Sequence, residues 1–270
     1  LRAVLRAVEG VGALSEFWTT VALPPGLSRS NALPHHLRRR LGQRTFAEVP
    51  WARTRLQPWR EVMRLTARGA GITSLTRHET GWASVDGVYT ALDRAVAQRI
   101  RSAKCPASTV YAYEDGALET FRAAEKTGVT RVYDLPIAHW RRLRQLLQEE
   151  AERLPDWACT MEGLRDSAEK HARKDSEIEL ADHILVASSF TRDSLTSAFG
   201  DIPVHVTPYG CPPPIVTEPA RRAKDAPLEL LFAGHLAQRK GIADLIAALE
   251  LLEADWRLTL AGPKPAAAPP

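Results

Sequence analysis

Long apolar runs are absent from these 270 residues, and so is a cysteine framework. No stretch approaches the roughly 20 consecutive apolar residues of a membrane-crossing helix. Three cysteines, Cys105, Cys159 and Cys211, are an odd number at wide spacing. They make neither a disulfide scaffold nor a zinc knuckle, which points to a reducing, cytoplasmic compartment. No signal-peptide pattern opens the chain. The eight histidines supply no pair at zinc spacing backed by cysteine, so no metal site is expected. A G-x-x-x-x-G-K-[ST] phosphate loop is missing, and so is a G-x-S-x-G nucleophile elbow around Ser188 and Ser189. Gly10 and Gly12 follow a helix pattern and lack the third glycine of a dinucleotide loop.

What is present is ordinary for a globular protein. Hydrophobic residues make up 44% and charged residues 25%, which excludes wholesale disorder, collagen and coiled coil. The length suggests two domains at about 150 residues each. The net charge of +4 is unevenly spread. Residues 1–64 hold eleven Lys/Arg against four Asp/Glu, a local excess of seven, with Arg38, Arg39 and Arg40 as the densest run. The plain reading is a solvated helix face. The functional reading is a surface for an anionic partner, and a peripheral contact with an anionic membrane is then expected ahead of nucleic acid.

Periodicity organises the chain. Leu1, Val4, Leu5 and Val8 fall at i, i+3, i+4, i+7, which predicts an amphipathic helix already under way at the first residue. FWTTVAL (17–23) reads as a strand, and 24–56 as mostly irregular with a short helix near 34–41. Helices are predicted over 59–68, 85–103, 116–127, 138–153 and 163–180, the last as a solvated charged face. Strands are predicted over 108–113, 129–135, 183–188 and 203–208, with Ser188 or Ser189 capping a helix over 190–198. A Pro-rich, charged linker follows at 209–227. Then come a strand (228–234), a helix (240–252) and a strand (256–262), a single βαβ. Apolar strands alternating with helices argue for a parallel sheet with helices on its faces. The helix at the start and the strand just before the closing PKPAAAPP lead us to expect a piece of a longer chain.

The strongest local signal is LELLFAGHLAQRKGIADLIAAL (228–249). A buried-type strand ends in Gly234, a loop carries His235, Gln238, Arg239 and Lys240, and Gly241 opens an amphipathic helix. A strand end, a cationic loop and a helix N-terminus together make an anion site suited to phosphate. A basic surface loop is the plainer alternative.

With ADHILVASSFTRDSL (181–195) and VTPYGCPPP (206–214), this stretch resembles the family 4 nucleotide-sugar glycosyltransferases. The resemblance is strongest over 108–262. It implies the GT-B fold, in which two Rossmann-like domains face a cleft. Residues 1–208 would be the acceptor-side domain without its first strand, 209–227 the linker, and 228–270 the start of the nucleotide-sugar-binding domain. It implies a transferase that moves a sugar, with retention, from a UDP- or GDP-sugar to an acceptor, using no metal and no further cofactor. The donor phosphates would meet Gly234, His235, Arg239, Lys240 and Gly241, with His235 standing where the family has arginine. On the acceptor side, Tyr113 stands where a histidine is usual, followed by Glu114 and Asp115, and Asp134 ends the next strand. These four are the candidate catalytic group. The family's first strand with its Gly-rich loop would precede Leu1, and its Glu-x7-Glu motif would follow residue 270, so this piece alone is expected to be inactive. A second reading, of another class, is a non-catalytic module of the same fold that binds through the basic first quarter.

Overall fold

A computed structural model describes residues 2–24, 42–102, 105–195, 199, 201–211 and 226–265. In chain order its elements are α1 (Arg2–Gly10), β1 (Phe17–Thr19), β2 (Thr54–Leu56), α2 (Trp59–Gly69), α3 (Val85–Arg101), β3 (Thr109–Tyr113), α4 (Leu118–Thr127) and β4 (Thr130–Leu135). There follow α5 (Trp140–Arg153), α6 (Ala168–Glu179), β5 (His183–Val186), α7 (Ser189–Ser194), β6 (Val204–Val206), β7 (Leu228–Ala233), α8 (Ile242–Glu250) and β8 (Trp256–Ala261). The short helix expected near 34–41 and most of the expected linker lie outside the described residues. The chain divides into two compact units, one of residues 1–137 with 168–210, the other of 138–167 with 211–270.

The first unit is a Rossmann-like α/β fold. Strands β3, β4, β5 and β6 lie side by side in that order, all parallel, with Tyr113 opposite Asp134 and Leu135 opposite Val186. Parallel neighbours need crossover connections, and α4 and α6 supply them. Tyr133, Leu135, Ile184 and Val186 from the strands pack on Phe121 of α4 and Ile178 of α6, all of them buried. A second cluster joins Ala97 and Ile100 of α3 to Ala123 and Ala124 of α4. Small residues on the facing sides of these two helices let them approach closely. Helix ends obey local chemistry. Ser84 accepts a hydrogen bond from the Gly87 N–H to start α3, and Ser188 accepts one from the Thr191 N–H to start α7. Gly128 closes α4 in the left-handed conformation, at φ 70°.

Strands β1 and β2 form a separate parallel pair. A cavity of about 730 Å³ runs beside them, lined by consecutive residues of both β1 and β3 and roofed by Leu5 of α1 and Val96 of α3. Consecutive residues of a strand point to opposite faces, so a space touching each in turn follows the strand's edge.

In the second unit β7 and β8 pair in parallel across α8, which is the βαβ expected from the sequence. Leu231 and Leu260 on these strands are exposed. At the carboxyl end, a side chain on Gly262 would overlap the Gly234 carbonyl oxygen, so the loops after both strands depend on backbone contact.

Three expectations need correction. The strand predicted over 17–23 stops at Thr19, and the stretch read as irregular contains β2. Two polar residues in the three of β2 (Thr-Arg-Leu) leave no alternation to read. The charged run 163–180 is not one solvated helix. A 3-10 turn covers Glu162–Arg165, and α6 buries His171, Lys174, Glu177 and Ile178. The buried charges are tolerated because partners surround them.

Candidate functional site

Ligands of open parallel α/β sheets bind beyond the carboxyl ends of the strands. In the first unit that edge carries Tyr113, Glu114 and Asp115 after β3 and Asp134 near the end of β4. All four lie together because Tyr113 and Asp134 are register partners.

Asp134 is buried beneath two tyrosines. The Tyr111 hydroxyl donates to its Oδ2, and Tyr113 hydrogen-bonds to the same carboxylate. The two tyrosine rings meet edge to face at 5.5 Å. Burial raises the Asp134 carboxyl above the usual carboxylate range, and the tyrosine hydroxyls pull against that rise. Tyr209, 70% exposed, feels the Asp134 charge from the loop after β6.

Glu114 and Asp115 face Lys174 of α6. The Lys174 Nζ lies 3.0 Å from Glu114 Oε1 and 3.6 Å from Asp115 Oδ2, with lysine and glutamate both buried. Burial pushes Glu114 up to about 7, against the pull of the ammonium and with help from the neighbouring Asp115. Lys174 is raised: its burial opposes the charge, but Glu114 and Asp115 outweigh it. Asp115 takes a left-handed conformation, φ 70°, which costs a non-glycine residue on the order of 1 kcal/mol. Its Oδ1 is buried without a hydrogen-bond partner.

Glu177 locks this turn. Its carboxylate accepts from the backbone N–H groups of Asp115 (2.9 Å), Ala117 (3.1 Å) and Leu118 (3.3 Å), from Arg173 Nε (3.2 Å) and from the Tyr133 hydroxyl (3.1 Å). Asp93 of α3 accepts from the N–H groups of Glu119 and Thr120, so the start of α4 is held by two carboxylates of the chain itself. This helix end is filled from within and offers no phosphate site.

The donor-side candidates lie in the second unit. Gly234 follows β7, His235 is half-buried, and Arg239 and Lys240 are exposed in the turn before α8. Gly241 precedes α8 at φ 71°, a left-handed position that suits glycine. Gln238, in the same loop, is buried at 3%. Its side chain donates to Glu150 and Asp244 and accepts from the Ala243 N–H, while its own backbone N–H donates to Thr160. Gln238 therefore sets the turn from which Arg239 and Lys240 project.

Lys174, Glu177 and Tyr111 escape a sequence reading of the site. Lys174 reaches Glu114 across 60 residues, and nothing local marks the pair. The one available signal is the spacing of His171, Lys174 and Ile178, which falls on one helix face.

Among the described residues no helix is long and apolar enough to cross a membrane. The chain matches no family model, no curated protein and no solved structure.

Proposed function

We propose that this chain is the acceptor-side unit and part of the donor-side unit of a sugar transferase that uses a nucleoside-diphosphate sugar. The observation that carries the reading is the strand–turn–helix at β7 and α8. A parallel strand ends in glycine, a turn anchored by Gln238 presents Arg239 and Lys240 to solvent, and a left-handed Gly241 opens the helix. In the reaction the bond between the sugar's anomeric carbon and the diphosphate oxygen breaks. A bond from that carbon to the acceptor oxygen forms, and the proton of the acceptor hydroxyl passes to the departing diphosphate. The diphosphate gains negative charge as it leaves. Lys240 and Arg239, with His235, oppose that charge. In the first unit the acidic edge after β3 and β4 orients the acceptor hydroxyl. Asp134, held by Tyr111 and Tyr113, and Glu114, with its carboxyl near neutrality, are the groups suited to it.

A screen of UDP- and GDP-sugars with the full-length protein, reading release of the nucleoside diphosphate, tests the reading. Release that depends on one donor supports it, and no release from any donor counts against it. A second reading has its own observation. Glu114 and Asp115 are paired with Lys174 and Asp134 with tyrosines, so the acidic edge is self-satisfied, as in a fold kept for binding alone. Under that reading nucleotides bind without turnover.

A further inference from the structure

We propose that His183 and His205 bind a divalent transition ion of the zinc and copper class. His183 opens β5, and His205 lies in β6, 22 residues further on. Register sets Leu185 opposite His205. Side chains alternate along a strand, so His183 shares a face with Leu185 and therefore with His205. Ile184 and Val186 of β5 fill the core on the other face, with Val204 of β6 packed against them. Both imidazoles thus stand on one side of the sheet, on the last two of its four strands. His183 is half-buried and His205 is exposed, so an ion reaches the pair from solvent. Spacing along the chain gives no sign of this pair, because each strand contributes a single histidine.

The distance between the rings selects a metal. His183 Nδ1 and His205 Nε2 face each other at 3.3 Å, with the rings tilted by 52°. That is longer than the roughly 2.7–3.2 Å of an ordinary N–H hydrogen bond. It equals the nitrogen–nitrogen edge, about 3.3 Å, of a tetrahedron around an ion with the bond lengths of zinc to histidine. Among the described residues neither ring has another hydrogen-bond partner, so both facing nitrogens are available to an ion. Two imidazoles without a thiolate suit zinc, copper or nickel, whereas magnesium and calcium take oxygen ligands. The neighbouring Asp182 is held below the usual carboxylate range, first by Arg131 and in smaller part by the charge of His183. It keeps a negative charge near the pair, but its oxygens are bonded to Arg131 at 2.6 and 3.0 Å, so water completes the coordination. A bound ion would tie the three-residue edge strand β6 to β5. The site stands whether or not the chain transfers sugar.

The test is equilibrium dialysis of Zn²⁺ against the full-length protein, first freed of metal with a chelator. The parent should bind the ion, and its unfolding midpoint should rise with added Zn²⁺. Even the outer partners of metal ligands are worth about 10–100-fold in affinity, so His183→Gln and His205→Gln should each bind at least tenfold more weakly. Each should also lose most of the zinc-dependent rise. Without metal both variants should unfold close to the parent, since neither ring belongs to the core. His78→Gln, an exposed histidine outside the pair, should bind as the parent does. Electron paramagnetic resonance of the Cu²⁺-loaded parent gives a readout that needs no variant, and it should show two imidazole nitrogens on the ion. No Zn²⁺ binding by the parent overturns the proposal. Binding that both variants retain in full overturns it too, and so does a copper spectrum with fewer than two imidazole nitrogens.

Discussion

Replacing Glu177 by alanine removes the acceptor for five donors at once, and the consequence can be worked from the distances. Three backbone N–H groups at the turn after β3, the Arg173 guanidinium and the Tyr133 hydroxyl lose their partner. The side chain is wholly buried, so water reaches none of its position in the native state. Removing one partner of a buried, hydrogen-bonded charge costs about 3–5 kcal/mol. At this chain length that lowers the thermal midpoint by roughly 6–20 °C. Glu177→Gln keeps the shape and one acceptor oxygen, but its amide group faces donors, so about 1–3 kcal/mol should be lost. The assay is urea unfolding followed by far-UV circular dichroism, with the slope checked for constancy. There is also a pH signature. Burial raises the Glu177 carboxyl above its ordinary 4.5 despite its donors. A folded value above the unfolded one means that its stabilising effect is complete below the unfolded value and is lost as pH rises through the folded one. Glu177→Gln should flatten that decline. A loss below about 1 kcal/mol for Glu177→Ala would refute the reasoning, because the turn carrying Glu114 and Asp115 would then be held by something else.

Other outcomes follow from the same geometry. Carbon-13 resonances of the carboxyl groups should show Glu114 titrating near pH 7, and Lys174→Met should move that midpoint higher. Since the folded value of about 7 exceeds the ordinary 4.5, Glu114 withdraws up to about 3 kcal/mol of stability as pH rises between them. Stability curves of Glu114→Gln should lack that slope. Gly262→Ala places a methyl group onto the Gly234 carbonyl, so it should cost about 1–3 kcal/mol, read as a lower urea midpoint by tryptophan fluorescence. Asp134→Asn should slow transfer to the acceptor and leave nucleotide affinity unchanged.

Much of the fold is legible because the strands carry its signal. HILV and VTRVYDL are apolar and β-branched, and they became β5 and β4 nearly as read. The carboxyl edge was legible for the same reason, since Tyr113, Glu114 and Asp134 sit at or beside strand ends and parallel register brings them together. What failed was inside and outside. Periodicity shows that Trp59, Val62 and Met63 share a face of α2, but not which face packs. Only the burial of Glu61 between Arg44 and Arg64 shows that this face lies outside. Likewise a run such as AEKHARKDSEIE has the composition of a solvated helix. Lys174 and Glu177 are buried because partners 60 residues away, at Glu114 and Ala117, satisfy them. Those pairings are tertiary and leave no mark in local sequence.

The most direct test of the central claim is calorimetric titration of UDP and GDP into the full-length protein and into its Lys240→Ala variant. A charge-assisted contact is worth roughly 1.5–3 kcal/mol, so the lysine variant should bind its nucleotide on the order of tenfold to 150-fold more weakly than the parent. If the parent binds neither nucleotide, or Lys240→Ala binds as tightly as the parent does, the turn between β7 and α8 is not a diphosphate site and the transferase reading fails with it.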